Sequence, residues 1–167
     1  MIHTISEFEH VWGPEIEATQ KVIKHITTAS LPQAVTPEGR TLGRLAWHVV
    51  TTISEMMSQA GLAVAGPHHD APVPATAKEI FVAYNEAALS LLDQIKKTWT
   101  DDTLKVEDDM YGERWTRSAT LQALIFHQIH HRAQMTVLMR QAGLAVPGVY
   151  GPSRDEWAAF GMPPPTV

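Results

Sequence analysis

One stretch, residues 118–143, constrains the fold and the chemistry of this chain more than any other. It reads SATLQALIFHQIHHRAQMTVLMRQAG. Ser118 suits a helix N-cap, Gly143 suits the position just past a helix end, and Pro147 lies beyond it. Because no glycine or proline interrupts the stretch, it predicts one helix of about 35 Å at 1.5 Å per residue.

Five side chains form a single stripe along this predicted helix, because they recur at spacings of three and four. They are Leu124, His127, His131, Gln134 and Leu138. Histidines four residues apart have Cβ atoms about 5–6 Å apart, so both rings can turn toward one metal ion. His130 points roughly 100° away from His131 and is not expected to share the site. An isolated pair is more typical of hydrogen-bonded core or groove histidines, so a metal site requires a third ligand from elsewhere in the chain.

Composition narrows the choice of ligands and partners. With 167 residues, the chain suits one domain spanning 1–167. It contains no cysteine, which excludes disulfides, thiolate ligands and a cysteine nucleophile. Imidazole, carboxylate and water remain as ligands. A net charge of -5 does not supply the basic face that nucleic-acid binding requires.

The chain shows no sequence feature of membrane insertion. No apolar run approaches the 18 residues that a membrane-spanning helix needs. The first residues, MIHTISEFEH, have neither the basic nor the apolar region of a signal peptide. We therefore expect a soluble, cytoplasmic protein without membrane contact.

Three further amphipathic helices are predicted from capping residues and apolar periodicity. They span about 4–29, as one helix kinked at Gly13-Pro14 or as two coaxial pieces, then 41–61 and 76–99. Between 100 and 117 the helical period is lost, which predicts a short hairpin or an ordered loop. A short C-terminal helix is predicted at 154–160, docked through Trp157 and Phe160. Four such helices favour an all-α fold, an antiparallel four-helix bundle with cofactor sites between facing helices.

The second helix offers a candidate third ligand, His48, which on its own is also compatible with a satisfied, half-buried histidine. His48, Thr52 and Glu55 form a stripe at the edge of its apolar face, where a side chain can reach into a groove between helices. The loop sequence His68-His69-Asp70 could also bind a metal ion. A loop rich in glycine, alanine and proline offers little preorganisation, so this second cluster is the weaker candidate.

Three segments of the sequence resemble one known family. They are TLGRLAWHVV in the second helix, FHQIHHRAQ in the fourth and PGVYGPSRDEWAAFG near the end. The chain resembles the DinB-like, YfiT-type metal-dependent four-helix bundles, and this resemblance covers nearly the whole chain. It implies that His48, His127 and His131 bind one divalent metal ion. The family commonly has Arg-Gly-Gln after its histidine motif, whereas Arg132, Ala133 and Gln134 stand here.

A site of three imidazoles with an open coordination position suits Zn²⁺, Ni²⁺ or Fe²⁺, and the sequence does not distinguish among them. The ion could lower the pKa of bound water to about 7, polarise a carbonyl or bind a thiol as its thiolate. Because neutral imidazole is the ligand form, we expect metal affinity to weaken as the pH falls through about 6.5.

Three functions follow as hypotheses. The first, implied by the resemblance, is a thiol S-transferase that uses a low-molecular-weight thiol, with Tyr84, Arg132 and Gln134 lining the substrate pocket. The second is a hydrolase using metal-bound hydroxide, with Glu55 as general base; the HEXXH motif is absent because Gln128 follows His127. The third is a non-catalytic stress-response module in which the metal joins two helices. The resemblance also implies a homodimer and a small-molecule substrate.

Overall fold

Each of the four long helices begins after a threonine whose side-chain oxygen accepts a hydrogen bond from the third helical N–H. This cap satisfies one of the unpaired donors at a helix start. The computed structural model describes residues 2–166. The helices are α1 (Ile5–Lys24), α2 (Leu42–Gln59), α3 (Ala77–Thr98) and α4 (Arg117–Gln141).

The start of α4 differs from the sequence prediction. Its N-cap is Thr116, whose hydroxyl oxygen accepts from the N–H of Ala119. Ser118 instead lies in the first turn, where its hydroxyl donates to the carbonyl of Ile2. Both residue types make good caps, so local sequence alone did not separate them. The predicted end is confirmed, because Gly143 has a φ of +72° just beyond the helix.

Helix α1 is a single helix that contains Pro14. Proline lacks the N–H that would bond to the carbonyl four residues earlier, and the predicted phase of apolar residues continues across it. The helix ends at Lys24, and Ala29 lies in a separate 3₁₀ turn, Thr28–Ser30. The predicted end near Ala29 was therefore about five residues too late.

The bundle consists of two antiparallel pairs. Helix α1 runs against α3, as shown by the Trp12 indole N–H donating to the Ala88 carbonyl at 3.1 Å and by the Lys96–Glu9 ion pair. Helix α2 runs against α4, and each pair also packs against the other. The predicted all-α, antiparallel four-helix bundle is thus confirmed.

The connection between α2 and α3 runs back along α2. The Ser54 hydroxyl donates to the Pro67 carbonyl and the Trp47 indole to the Ala71 carbonyl, each at 2.8 Å. These contacts return the chain to the end of the bundle at which α2 began. Helix α3 therefore starts beside the N-terminus of α2.

A two-stranded hairpin precedes α4, as one of the two sequence alternatives predicted. Strands β1 (Glu107–Met110) and β2 (Glu113–Thr116) pair antiparallel. The two turn residues, Tyr111 and Gly112, have φ values of 58° and 85°, as a two-residue type I′ turn requires. Arg117 forms a half-buried ion pair with Asp108 at 2.8 Å, which attaches the hairpin to the start of α4.

The apolar stripe predicted for the third helix is buried in the core. Its members are Ile80, Tyr84, Ala87, Ala88, Leu91, Ile95 and Trp99. The predicted C-terminal helix is a 3₁₀ helix, Arg154–Phe160, in which Phe160 remains 62% exposed. Phe160 therefore does not dock this segment as predicted. Within residues 2–166, no helix combines the length and apolar character needed to cross a membrane.

Candidate metal centre

Three histidines from two helices meet at the α2–α4 interface. His127 and His131 lie one turn apart on α4, and His48 faces them from α2. The ligand nitrogens of the three rings all lie within 4.8 Å of one another. The Nε2 atoms of His48 and His127 are 3.0 Å apart, and ring centroids are separated by 4.4–4.8 Å. The structure thus brings together the three histidines that the sequence predicted.

Neighbouring side chains set the orientation of two rings. Nδ1 of His131 donates to Oε1 of Gln134 at 2.7 Å, which leaves its Nε2 as the nitrogen able to bind a metal. Nδ1 of His48 lies 3.4 Å from Oγ1 of Thr52, and that hydroxyl donates to the His48 carbonyl. Outer hydrogen bonds of this kind fix the tautomer and direction of metal-binding imidazoles.

The environment keeps these imidazoles neutral. Burial lowers the pKa of His48 to about 4, with a further lowering from the charges of His131, Arg40 and Arg44. Burial also lowers the pKa of His127 to about 3, assisted by the neighbouring imidazoles and Arg40. The pKa of His131 is lowered mainly by burial, against the Gln134 hydrogen bond. For His48 and His127, proton competition with a metal ion therefore begins well below the pH of about 6.5 that the sequence predicted from free histidine.

The donor set fits a divalent transition metal. Neutral imidazoles suit Zn²⁺, Ni²⁺ and Fe²⁺. Two imidazole nitrogens bound at about 2.0–2.1 Å in a tetrahedron lie about 3.3 Å apart, close to the 3.0 Å between His48 and His127. Three protein ligands leave a fourth tetrahedral position open, as in catalytic zinc sites.

Two cavities flank the histidines along the α2–α4 groove. The first has a volume of about 450 Å³ and is lined by His131, Gln134 and Arg40 together with aliphatic side chains. The second, of about 350 Å³, lies toward the hairpin and includes His48 and His127. Both volumes fall within the range of about 300–1,000 Å³ typical of small-molecule sites.

Glu55 and Gln134, two residues that the sequence analysis named, line the cavities that flank the histidines. Half-buried Glu55 lines the second cavity, and its Oε1 accepts a hydrogen bond from the Tyr111 hydroxyl at 3.3 Å. Gln134 lines the first cavity. Among the predicted pocket residues, Gln134 is thus the one that the structure places at a cavity beside the site.

Tyr84 and Arg132 lie in a buried polar network elsewhere in the bundle. The Tyr84 hydroxyl donates to Gln128 at 3.1 Å, and burial raises the pKa of Tyr84. Arg132 pairs with Glu15 at 2.6 Å, and both side chains are under 10% exposed. Position 132 is one residue beyond His131, so its side chain points about 100° away from that of His131. Neither residue lines the two cavities beside the histidines.

Three residues beside the site were not singled out from the sequence: Arg40, Tyr111 and Trp115. Arg40 immediately precedes the N-cap of α2, and Tyr111 occupies the turn of the hairpin with a positive φ. The Tyr111-Gly112 dipeptide in the hairpin turn was a sequence signal that could have directed attention to Tyr111. The distance from either position to the histidines depends on tertiary packing.

A second group, His68, His69 and Asp70, also places its ligand atoms within 4.8 Å of one another. Nδ1 of His68 contacts the Asp70 carboxylate. All three residues are exposed in the α2–α3 connection. Water competes for such ligands, so this group is the weaker metal site on structural grounds as well.

Comparison with known proteins decides the family. The model of the DinB family matches residues 1–165. The chain belongs to the DinB family. This DinB-family chain is 44% identical to uncharacterized protein YrdA of Bacillus subtilis (strain 168) over 167 residues, covering the full length of both proteins. It is also similar to a crystal structure of a DinB-like protein from Bacillus cereus ATCC 10987, with 45% identity and a TM-score of 0.87. That match covers 90% of this chain and 100% of the other.

Proposed function

We propose that this chain is a metal-dependent enzyme whose ion is held by His48, His127 and His131, and that it transfers groups to or from a low-molecular-weight thiol. The observation that carries the proposal is the position of the three imidazoles between two cavities. Structural zinc sites surround the ion with four protein ligands, whereas catalytic sites keep one position for substrate or water. Three ligands beside open space match the second pattern.

A bound divalent ion supplies Lewis acidity, which lowers the pKa of a coordinated thiol or water and polarises a carbonyl. The chain's own residues prepare the ligands for it. Gln134 and Thr52 hold the Nδ1 sides of His131 and His48, and burial keeps the rings neutral near pH 7. The imidazoles can therefore bind a metal ion near pH 7 without first releasing a proton.

Transfer between two molecules requires two adjoining binding places. The first cavity lies where Leu45 faces Val137 and Leu138, and the second where Met56 faces Ala123. Because α2 and α4 are antiparallel, these places lie on either side of the histidines along one groove. This arrangement supports a thiol on one side and its reaction partner on the other.

Hydrolysis is the second candidate, and the position of Glu55 favours it. Its carboxylate lines the same cavity as His48 and His127 and is oriented by the Tyr111 hydroxyl. A general base must reach the attacking water, and a half-buried carboxylate at this cavity is suited to accept that proton.

Elemental analysis of tag-free protein tests the metal-binding part of the proposal. We expect about one divalent ion per chain in the wild type, and its loss in His48→Ala and in His127→Ala. His10→Ala is the matched control, because His10 is exposed and belongs to neither histidine cluster. A His68→Ala/His69→Ala variant assigns any second ion. Full metal content in both His48→Ala and His127→Ala would overturn the proposed site.

The metal-loaded protein would then be assayed with several low-molecular-weight thiols and a chromogenic electrophile, and in parallel with ester and amide substrates. Thiol-dependent turnover that is lost in His48→Ala supports the transferase. Thiol-independent turnover supports the hydrolase. No turnover with either class, together with a large loss of thermal stability on chelation, would favour a structural ion in a stress-response module.

The homodimer implied by the family resemblance also belongs to this proposal. Exposed apolar side chains on the outer faces of α1 and α4, including Val11 and Phe126, provide a surface on which two copies could pack. Sedimentation of wild type and Phe126→Asp measures this assembly. A wild-type protein that sediments as a monomer would contradict the proposed homodimer.

A further inference from the structure

The first cavity combines an aliphatic wall with one charged side chain. Val35, Leu45, Val137 and Leu138 provide the wall, and Arg40 is the charged residue. His131 lies at the other side and is 9% exposed, whereas Arg40 and Val35 are exposed near the opening. A ligand in this cavity therefore extends from a cationic mouth toward a metal-binding imidazole.

The guanidinium of Arg40 is available to a ligand. No carboxylate lines the cavity, and within residues 2–166 Arg40 forms no ion pair. The cavity is thus locally positive in a chain with a net charge of -5, which favours an anionic ligand at this place.

We infer that this cavity binds a small aliphatic carboxylate, with the carboxylate paired to Arg40 at the mouth and the alkyl body on Val35, Leu45, Val137 and Leu138. The inference rests on the function proposed above, because it gives the substrate class of that same site. Since Arg40 lies at the mouth and His131 inside, the carboxylate is an anchor and the opposite end of the molecule reaches the histidines. Binding energy from such a remote group can position the reacting end.

The local backbone favours a carboxylate over a phosphate. A phosphate at a helix start is usually held by free backbone N–H groups. At the start of α2, the N–H of Leu42 donates to the Gln33 carbonyl, that of Gly43 to the Leu31 carbonyl, and that of Arg44 to Thr41 Oγ1. These donors are occupied, so recognition falls to the planar guanidinium, which matches the two oxygens of a carboxylate.

Gln134 does not compete for this role. Its Oε1 accepts from His131, and its Nε2 donates to His130 Nε2 at 3.0 Å. The carbonyl oxygen and one N–H of the amide are therefore engaged with the two histidines. Arg40 is therefore the cationic group of the cavity that is left to pair with a carboxylate.

The test is an NMR titration of the Val and Leu methyl groups with hexanoate, in metal-free and Zn²⁺-loaded protein. Hexanol, hexylamine and hexyl phosphate carry the same alkyl chain with a neutral, cationic or phosphate group. We expect hexanoate to shift the methyl signals of Val35, Leu45 and Val137 and to bind more tightly than the other three. Added salt should weaken binding, because the ion pair at the mouth is partly exposed.

Arg40→Gln should weaken hexanoate binding roughly fivefold or more and remove its salt dependence. Arg40→Lys retains the positive charge but lacks the planar guanidinium. Its affinity for hexanoate should therefore lie between those of the wild type and Arg40→Gln. Arg44→Gln is the matched control, because Arg44 carries the same charge in the next turn but does not line the cavity. Circular dichroism establishes that each variant is folded.

Equal binding by wild type and Arg40→Gln, equal binding of hexanol, or no hexanoate binding to wild type would overturn the inference. Tighter binding of hexyl phosphate would overturn the choice of carboxylate. The methyl shifts report binding and require no catalytic turnover, and they can be measured in metal-free protein as well. Loss of metal stoichiometry would contradict the proposed function while leaving the hexanoate result standing, so the two failures are distinguishable.

Discussion

His48 of α2 and His127 of α4 face each other with their Nε2 atoms 3.0 Å apart. Nδ1 of His48 lies 3.4 Å from the Thr52 hydroxyl oxygen, and the two Nε2 atoms share one hydrogen bond. An ion held by His48, His127 and His131 would replace that hydrogen bond and connect α2 to α4 through three coordination bonds. Metal binding is therefore expected to stabilise the interface between these helices.

Metal should raise the melting temperature of the metal-free protein. An ion at one hundred times its dissociation constant stabilises the folded state by about 2.7 kcal/mol, which corresponds to roughly 5–10 °C for a chain of this size. Calorimetry with and without Zn²⁺ measures the shift. His48→Ala should show almost none, whereas an equal shift in that variant would locate the stabilising ion elsewhere.

Gln134→Leu should weaken metal binding about 10–100-fold, because it removes the acceptor that orients Nδ1 of His131. Competition with a chromogenic chelator measures the affinity. The matched variant His130→Ala removes the other hydrogen-bond partner of the Gln134 amide and tests whether that contact contributes. Unchanged affinity in Gln134→Leu would mean that the ring of His131 is held by packing alone.

Acid should destabilise the metal-free protein in a window set by the buried imidazoles. The pKa of His48 is about 4 and that of His127 about 3 in the folded chain, against about 6.5 when unfolded. Between these values the unfolded chain binds more protons, so stability falls as the pH drops below about 6.5. The loss continues down to the folded-state pKa values.

Urea unfolding of metal-free protein from pH 7.5 to pH 4 measures this dependence. The His48→Gln/His127→Gln variant should have a shallower slope, because it lacks the two groups with lowered pKa. Parallel curves for variant and wild type would assign the acid sensitivity to other groups.

Glu55→Gln separates the two candidate reactions. If Glu55 is the general base of a hydrolase, turnover should fall about 100-fold or more, while metal content stays the same. Tyr111→Phe keeps the carboxylate but removes its hydrogen bond, so a smaller fall is expected. Glu17→Gln, on the exposed face of α1, is the control. Full hydrolytic activity in Glu55→Gln would exclude this carboxylate from the mechanism.

Arg132→Ala should destabilise the fold by about 3–5 kcal/mol, because it leaves Glu15 buried without its partner. Arg140→Ala, on the exposed side of the same helix, should change stability by less than about 0.5 kcal/mol. Denaturant unfolding measures the free energy of unfolding of both variants. A stable Arg132→Ala variant with a raised KM would instead support the substrate contact that the sequence predicted for Arg132.

The local sequence was sufficient to predict features that depend on residues close together in the chain. The threonine caps at Thr4, Thr41 and Thr76 and the glycine past the end of α4 depend on neighbouring residues in the chain. The convergence of His127 and His131 follows from the helical repeat, since residues four apart share a face. For the same reason, the histidine pair could be singled out before any tertiary structure was known.

Tertiary packing decided what lies opposite each helix face. The turn of about 100° between neighbouring residues directs His131 to the α2–α4 groove and Arg132 to Glu15 on α1, but sequence spacing does not identify which helix occupies either side. The return of the α2–α3 connection along α2 and the fold of the hairpin likewise depend on long-range contacts. Arg40 and Tyr111 reach the cavities beside the histidines through this packing. The sequence by itself determined the helices and their histidine stripe, whereas the space around the site depends on distances between segments far apart in the chain.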